Sequence, residues 1–195
     1  MSEPQKIGLF FGSFNPIHMG HLIIANVIVE TTDIKKVWFV VTPQNPFKPA
    51  KGLLHEHDRY DMVKAATDDN YKFEVSDVEF HLTKPSYTIH TLVHLTEKHP
   101  GKEFRIIMGA DNLENFKKWK NAHQILDNYG LYIYPRPGAQ PSELSAHPHI
   151  TTVEAPMLDI SATFIRSCIR NKQSVRYLVP DAVDEMIRGR GFYLD

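Results

Sequence analysis

Residues 7–21 read Ile7-Gly8-Leu9-Phe10-Phe11-Gly12-Ser13-Phe14-Asn15-Pro16-Ile17-His18-Met19-Gly20-His21. Residues 7–11 are a short apolar run of the kind that forms a strand buried on both faces. Gly12 lets the chain turn sharply with no Cβ in the way of an approaching phosphate. Asn15-Pro16 is a turn signal. From about Met19 the pattern becomes helical and apolar, through Leu22, Ile23, Ile24, Ala25, Val27 and Ile28. The stretch therefore predicts a strand, a glycine-containing loop and a helix start, in that order. A helix N-terminus offers unpaired N–H groups and a partial positive charge, which suit a phosphate. His18 and His21 are three apart at this point, so both imidazoles can face that phosphate. No Gly-x-Gly-x-x-Gly and no Gly-Lys-Ser/Thr occurs, which sets the stretch apart from a dinucleotide fingerprint and from a Walker loop.

Working outward, residues 37–42 form a second apolar run, predicted as a strand parallel to the first. Residues 43–53 form a loop with prolines at 43, 46 and 49 and lysines at 48 and 51. A helix is predicted over 56–69, a strand over 72–75 and a short edge strand over 78–82. Pro85-Ser86-Tyr87-Thr88 opens a helix carrying Ile89, Leu92 and Val93 on one face, ending near residues 99–101. Strands follow at 104–108, 129–134 and 150–153. Polar helical segments surround Trp119, and residues 135–148 read as a surface loop. Helices are predicted over 161–171 and from Pro180 to near Gly189. Alternating strands and helices predict an α/β fold, a parallel Rossmann-like sheet covered by helices on both faces. In such sheets ligands bind beyond the strand C-termini at the topological switch point, so Gly12, Gly109 and the segment before Ser161 should converge.

At 195 residues the chain suits one domain with a substantial core. Lys+Arg number 22 against 23 Asp+Glu, a formal net charge of −1, which argues against a nucleic-acid-binding surface. No apolar run approaches the ~18 residues of a membrane span. The polar opening Met-Ser-Glu-Pro-Gln-Lys predicts no signal peptide. The single cysteine, Cys168, excludes an intramolecular disulfide and fits a reducing cytoplasm. It shares a helical stripe with Phe164, Ile165 and Ile169 and reads as core. The histidines of 53–57 and 147–149 show no zinc spacing and read as surface residues, so no metal ligands are assigned. The sequence does not fix the oligomeric state, and a homo-oligomer is compatible with it.

Ile160-Ser161-Ala162-Thr163-Phe164-Ile165-Arg166 is the second informative stretch. Ser161 is a good N-cap, Thr163 lies in the first turn, and Arg166 is one turn further on the same face. A hydroxyl, free amides and a guanidinium would meet there, suited to a triphosphate; an ordinary capped helix with a solvated arginine is the plain alternative. Lys48 is a solvated charge or a phosphate contact in a proline-bounded loop. Asp111, at a strand end, would accept from ribose hydroxyls or act as an N-cap. Trp119 would be a stacking platform or a partly buried anchor.

Residues 12–21 resemble the G-x-F-x-P-x-H-x-G-H signature of the nucleotidyltransferase superfamily, and within it the bacterial nicotinate-nucleotide adenylyltransferase family. The segment 160–166 resembles that superfamily's I-S-x-T-x-x-R element, which grips ATP phosphates. Gly109-Ala110-Asp111, Ser86-Tyr87-Thr88 and 175–180 are similar to further elements of the family. The family's S-Y-T segment is usually followed two residues after its Thr by an Asp; here that position is His90. The resemblance implies an ATP site of Gly12, Ser13, Phe14, His18, His21, Gly109, Asp111, Ile160, Ser161, Thr163 and Arg166. It implies an acceptor site of Asn15, Lys48, Ser86, Tyr87, Thr88 and Trp119, with Trp119 stacking on a pyridine ring.

The implied reaction is AMP transfer from ATP to nicotinate mononucleotide, with release of pyrophosphate, in cytoplasmic NAD biosynthesis. The acceptor phosphate would attack the α-phosphorus directly, while His18, His21, Lys48 and Arg166 supply a positive field. Mg²⁺ would arrive on the ATP phosphates, with few or no protein ligands. Two other readings are an adenylyltransferase for another acceptor, such as nicotinamide mononucleotide or phosphopantetheine, and a non-catalytic nucleotide-sensing module. Pyrophosphate release separates the last from the enzymes.

Overall fold

The computed structural model describes residues 4–44, 52–84, 86–140 and 142–194. Six strands, β1 (Gln5–Gly12), β2 (Lys36–Val41), β3 (Phe73–Ser76), β4 (Lys102–Gly109), β5 (Leu131–Tyr134) and β6 (Ile150–Thr152), form one sheet. Their order is β3-β2-β1-β4-β5-β6, with every pairing parallel. This is the Rossmann-like α/β arrangement expected from the alternation of strands and helices. The chain builds outward from β1 to β3, then returns to start again at β4, so the switch point lies between β1 and β4. Register places Gly12 beside Val41 and Gly109 beside Tyr134, so the loops that carry the motifs leave at one edge of the sheet.

Side-chain alternation along the strands divides the core in two. Phe10, Phe39 and Ile107 face α1 (Met19–Thr31), α2 (Glu56–Thr67), α6 (Ala162–Arg170) and α7 (Asp181–Arg190). Ile7, Leu9, Val40, Ile106 and Ile133 face α3 (Thr88–Lys98), α4 (Ala110–Leu113) and α5 (Ala122–Tyr129). No helix among the described residues is long and apolar enough to cross a membrane.

Three local expectations change. Residues Val78–His81 form a 3₁₀ turn where an edge strand was predicted. The Ser76 hydroxyl accepts from the Val78 N–H and the Asp77 carbonyl from the Phe80 N–H, which bends the chain away from β3. Val93 and Phe164 lie on exposed faces, at 43% and 55% exposure. Leu95 joins Ile89 and Leu92 under α3, while Ile165, Cys168 and Ile169 make the buried stripe of α6. The last helix runs past Gly189 to Arg190 and stops at Gly191, whose φ of 65° is the left-handed C-terminal cap that glycine adopts at little cost.

Candidate active site

Phe14 occupies the left-handed region, with a φ of 45°, a strained conformation for an aromatic residue. The turn folds its ring back beneath β1, edge-on to Phe10, Phe39 and His21. A Cβ on Gly12 would lie 2.7 Å from the Phe14 Cζ, so this approach needs glycine. The Asn15–Pro16 bond is cis. His18 then caps α1, and the His18 and His21 rings stack with centroids 3.7 Å apart. The His18 backbone N–H donates to His21 Nδ1 at 3.3 Å, which puts the His21 ring proton on Nε2. A Cβ on Gly20 would sit 3.1 Å from the His18 ring, so glycine also leaves room for this pair. The Met19 N–H is taken by the Leu178 carbonyl; no partner for the next amide, that of Gly20, is found among the described residues.

Burial pulls the His18 pKa down to about 4, with Arg136 acting in the same direction. His21, enclosed by Phe10, Phe14 and His18, is pushed well below the usual histidine range, first by burial and then by His18 and Arg136. Both imidazoles are therefore neutral at pH 7 while no anion is bound. Without an anion the pair therefore offers N–H donors, and burial sets against charge on the rings until an anion offsets it.

Asn15 is a structural hub. Its Oδ1 accepts from the Tyr193 hydroxyl at 3.0 Å and the Leu54 N–H at 3.3 Å, its Nδ2 donates to the Gly52 carbonyl, and its backbone carbonyl accepts from Arg166 Nη1 at 2.7 Å. The side chain expected to contact the acceptor thus holds neighbouring protein segments. Arg59, fully buried, does the same across a wider span. It donates to the carbonyls of Ser13, Thr42, Pro43 and Leu54 at 2.6–2.9 Å. Together Arg59 and Asn15 pin both flanks of segment 45–51 to the end of β1. Lys48 itself lies outside the described residues, as do Asn45, Pro46, Phe47 and Pro85.

Beyond the end of β1 lies a cavity of about 420 Å³. Gly12, Ser13, Phe14, Asn15, His18 and His21 line it from one side, and Ile160, Ser161, Thr163 and Arg166 from the other, with Asp111 at its rim. The Ser161 hydroxyl accepts from the Phe164 N–H as an N-cap, and Arg166 Nη2 donates to Thr163 Oγ1 at 3.3 Å. The guanidinium is thus held in a fixed orientation with N–H groups to spare. Gly109 precedes α4 and lies against Arg136 and Asp111. Arg136, from the stretch read as a surface loop, stands 3.9 Å from Asp111 and gives the cavity a second standing guanidinium.

A smaller cavity, about 130 Å³, lies on the other side of the β1 end. Ser86, Tyr87, Thr88 and Trp119 line it, with Ile106, Met108 and Ile125 behind. Helix α3 has no side-chain cap. Its first amides, those of Thr88 and Ile89, have no partner among the described residues, whereas those of His90 and Thr91 bond to the Tyr87 carbonyl. Lys120 stands 4.7 Å over the Tyr87 ring and 3.2 Å from His90 Nε2. The two cavities share Phe11, Gly12, Ser13 and Asn112 and so meet at the switch point.

The sequence did not single out Arg136, Arg59, Tyr193, Lys120 or Glu79. Arg136 carried the clearest signal: Tyr134-Pro135-Arg136-Pro137-Gly138 directly follows a strand, where an α/β sheet places its ligands.

The cytidylyltransferase-like family model matches residues 9–168. A probable nicotinate-nucleotide adenylyltransferase of Cytophaga hutchinsonii is 55% identical over 189 residues, 97% of this chain and 98% of the relative. The chain belongs to the nicotinate-nucleotide adenylyltransferase family. A second member, from Flavobacterium johnsoniae, is 48% identical and covered over 99% of its length. The fold matches the Plasmodium falciparum nicotinic acid mononucleotide adenylyltransferase, solved in complex with NaAD, with a TM-score of 0.82 at 20% identity over 97% of each chain. Family membership and fold agree with the sequence reading of a nucleotidyltransferase motif at the first strand.

Proposed function

We infer that this protein transfers AMP from ATP to nicotinate mononucleotide, giving nicotinate adenine dinucleotide and pyrophosphate. One observation carries the reading: two cavities of unlike chemistry meet at Gly12-Ser13. The larger has stacked imidazoles, two guanidinium groups and a helix start, which suit a triphosphate. The smaller has an aromatic wall and a helix start whose first amides have no partner among the described residues, which suit a pyridine ring bearing a carboxylate.

In this arrangement the acceptor's 5′-phosphate and the α-phosphorus meet where the cavities join. The acceptor phosphate is already a nucleophile at neutral pH, so alignment and charge stabilisation do the catalytic work. His18 and His21 present N–H donors to the triphosphate. As charge moves onto the leaving pyrophosphate, proton affinity at these rings rises and the imidazolium form becomes favourable. Arg166 binds phosphate oxygens through the N–H groups that Asn15 and Thr163 leave free. Lys48 adds a charge from a segment whose flanks Arg59 and Asn15 hold at the rim.

No group of three or more His, Cys, Asp or Glu that could hold a metal ion is found among the described residues, and Asp111, the carboxylate lining the larger cavity, faces Arg136. These residues fit a Mg²⁺ ion carried on ATP, which keeps phosphate and water ligands and offsets phosphate charge when bound.

The test is pyrophosphate release with ATP and Mg²⁺, comparing nicotinate mononucleotide with its amide. The amides of Thr88 and Ile89, without a partner among the described residues, favour a carboxylate by one or two charge-assisted hydrogen bonds, so kcat/KM should favour the acid by roughly ten- to thousand-fold. Equal values for the two would refute the acceptor assignment, and no release with either would refute the enzyme reading.

A further inference from the structure

Glu79 is 2% exposed, yet it lines the smaller cavity. It sits on the 3₁₀ turn Val78–His81, and its Oε1 accepts from the Thr91 hydroxyl at 2.8 Å. Its Oε2 is buried without a hydrogen-bond partner. The hydroxyls of Thr42 and Ser86 also lie against the carboxyl. The hydrogen bond from Thr91 ties the carboxyl to α3, and Ser86 of the turn before α3 lines the same cavity. Glu79 forms no ion pair among the described residues. Lys120, the cation lining the same cavity, stands over Tyr87 and beside His90 instead.

We propose that Glu79 is a positioning residue for the acceptor: bonded to Thr91 of α3 and lining the cavity with Ser86, Tyr87 and Thr88, its carboxyl sets where the helix amides meet the acceptor's carboxylate. This rests on the acceptor reading above. An ionised carboxylate here would be a buried charge with no cation, facing a cavity meant for an anion, and both costs favour the protonated acid. Burial does raise its pKa, against the opposing pull of the three hydroxyls. As a neutral acid Glu79 accepts from Thr91 through one oxygen and donates through the other, so the unpartnered Oε2 becomes an O–H donor toward the turn or the acceptor.

The test compares E79Q and E79A with the unmodified enzyme, using nicotinate mononucleotide, its amide and ATP as separate variables. E79Q keeps an acceptor and a donor without charge, and its acid-to-amide preference should stay within about threefold of the parent's. E79A removes the tie; KM for the acid should rise by about tenfold or more and the acid-to-amide preference should fall, while KM for ATP stays within about twofold. An infrared difference spectrum of the enzyme against E79Q should show a protonated carboxyl band at pH 7, and this reading stands even where E79A fails to fold. An E79A whose acceptor preference is unchanged, an E79Q as damaged as E79A, or an absent carboxyl band overturns the proposal. If the unmodified enzyme makes no pyrophosphate with either mononucleotide, the acceptor reading has failed rather than the role of Glu79.

Discussion

Replacing His18 by Asn should flatten the loss of stability in acid. The imidazole titrates near 6.5 when unfolded and at about 4 in the folded protein, chiefly because it is buried. Between those values the unfolded chain binds a proton that the native state does not, so stability falls as pH drops from about 6.5 to about 4. The gap of about 2.5 units, 6.5 less 4, corresponds to roughly 3 kcal/mol for this one ring. The carboxylates remain in both proteins and cancel, whereas His21, whose pKa His18 helps to lower, changes with it, so the difference reports His18 together with its coupling to His21. The measurement is urea unfolding followed by tryptophan fluorescence at several pH values from 7.5 to 4. The parent should lose about 3 kcal/mol more than H18N over this range. Parallel stability curves would refute the claim that the ring is held neutral by burial. A bound triphosphate reverses the bias, because an anion favours the imidazolium. Calorimetry at pH 6.5 in buffers of different ionisation enthalpy should therefore show net proton uptake when a non-hydrolysable ATP analogue binds. Proton release, or no exchange, would mean that the phosphates do not lie against this pair.

Arg59→Lys should cost about 3 kcal/mol or more in urea unfolding, because one ammonium cannot replace a fork that serves four carbonyls from three segments; a loss below about 1 kcal/mol would show that the network is redundant. Arg166→Lys should raise KM for ATP and lower kcat, since the guanidinium holds Asn15 and Thr163 and, in the proposed reaction, phosphate oxygens as well; unchanged ATP kinetics would make it a purely structural arginine. Lys120→Ala should weaken the acid acceptor by about fivefold and leave the amide nearly unaffected, read as KM for each, as expected of a partly solvated charge. Equal effects on both acceptors would assign Lys120 to the Tyr87 contact alone.

The architecture was legible because it depends on local pattern. The run at residues 7–11, the glycine turn and the helical spacing from Met19 specify a strand–loop–helix, and repetition of that unit specifies a parallel sheet. His18, His21 and the 160–166 segment were legible for the same reason, since each is a spacing on one helix. Arg59 was not. In Glu56-His57-Asp58-Arg59-Tyr60-Asp61 it looks like one more surface charge, and its four partners lie in segments that only the fold brings together. The 3₁₀ turn at Val78–His81 was missed because Glu79 is buried there against distant hydroxyls, which an alternation pattern does not record. The protonation of the histidine pair was not legible, because sequence reports proximity, whereas burial bears on protonation.

The hydrogen bond from Tyr193 to Asn15 joins residues 178 positions apart. Asn15 lies in the loop that the chain makes first, and Tyr193 follows its last helix. A nascent chain can pair β1 with β2 and wind α1 early in translation, but this loop has all its supports only after residue 193 has emerged from the ribosome and docked. Assembly of this loop therefore waits on residue 193, and a chain cut short of it would leave the Asn15 Oδ1 without its Tyr193 donor.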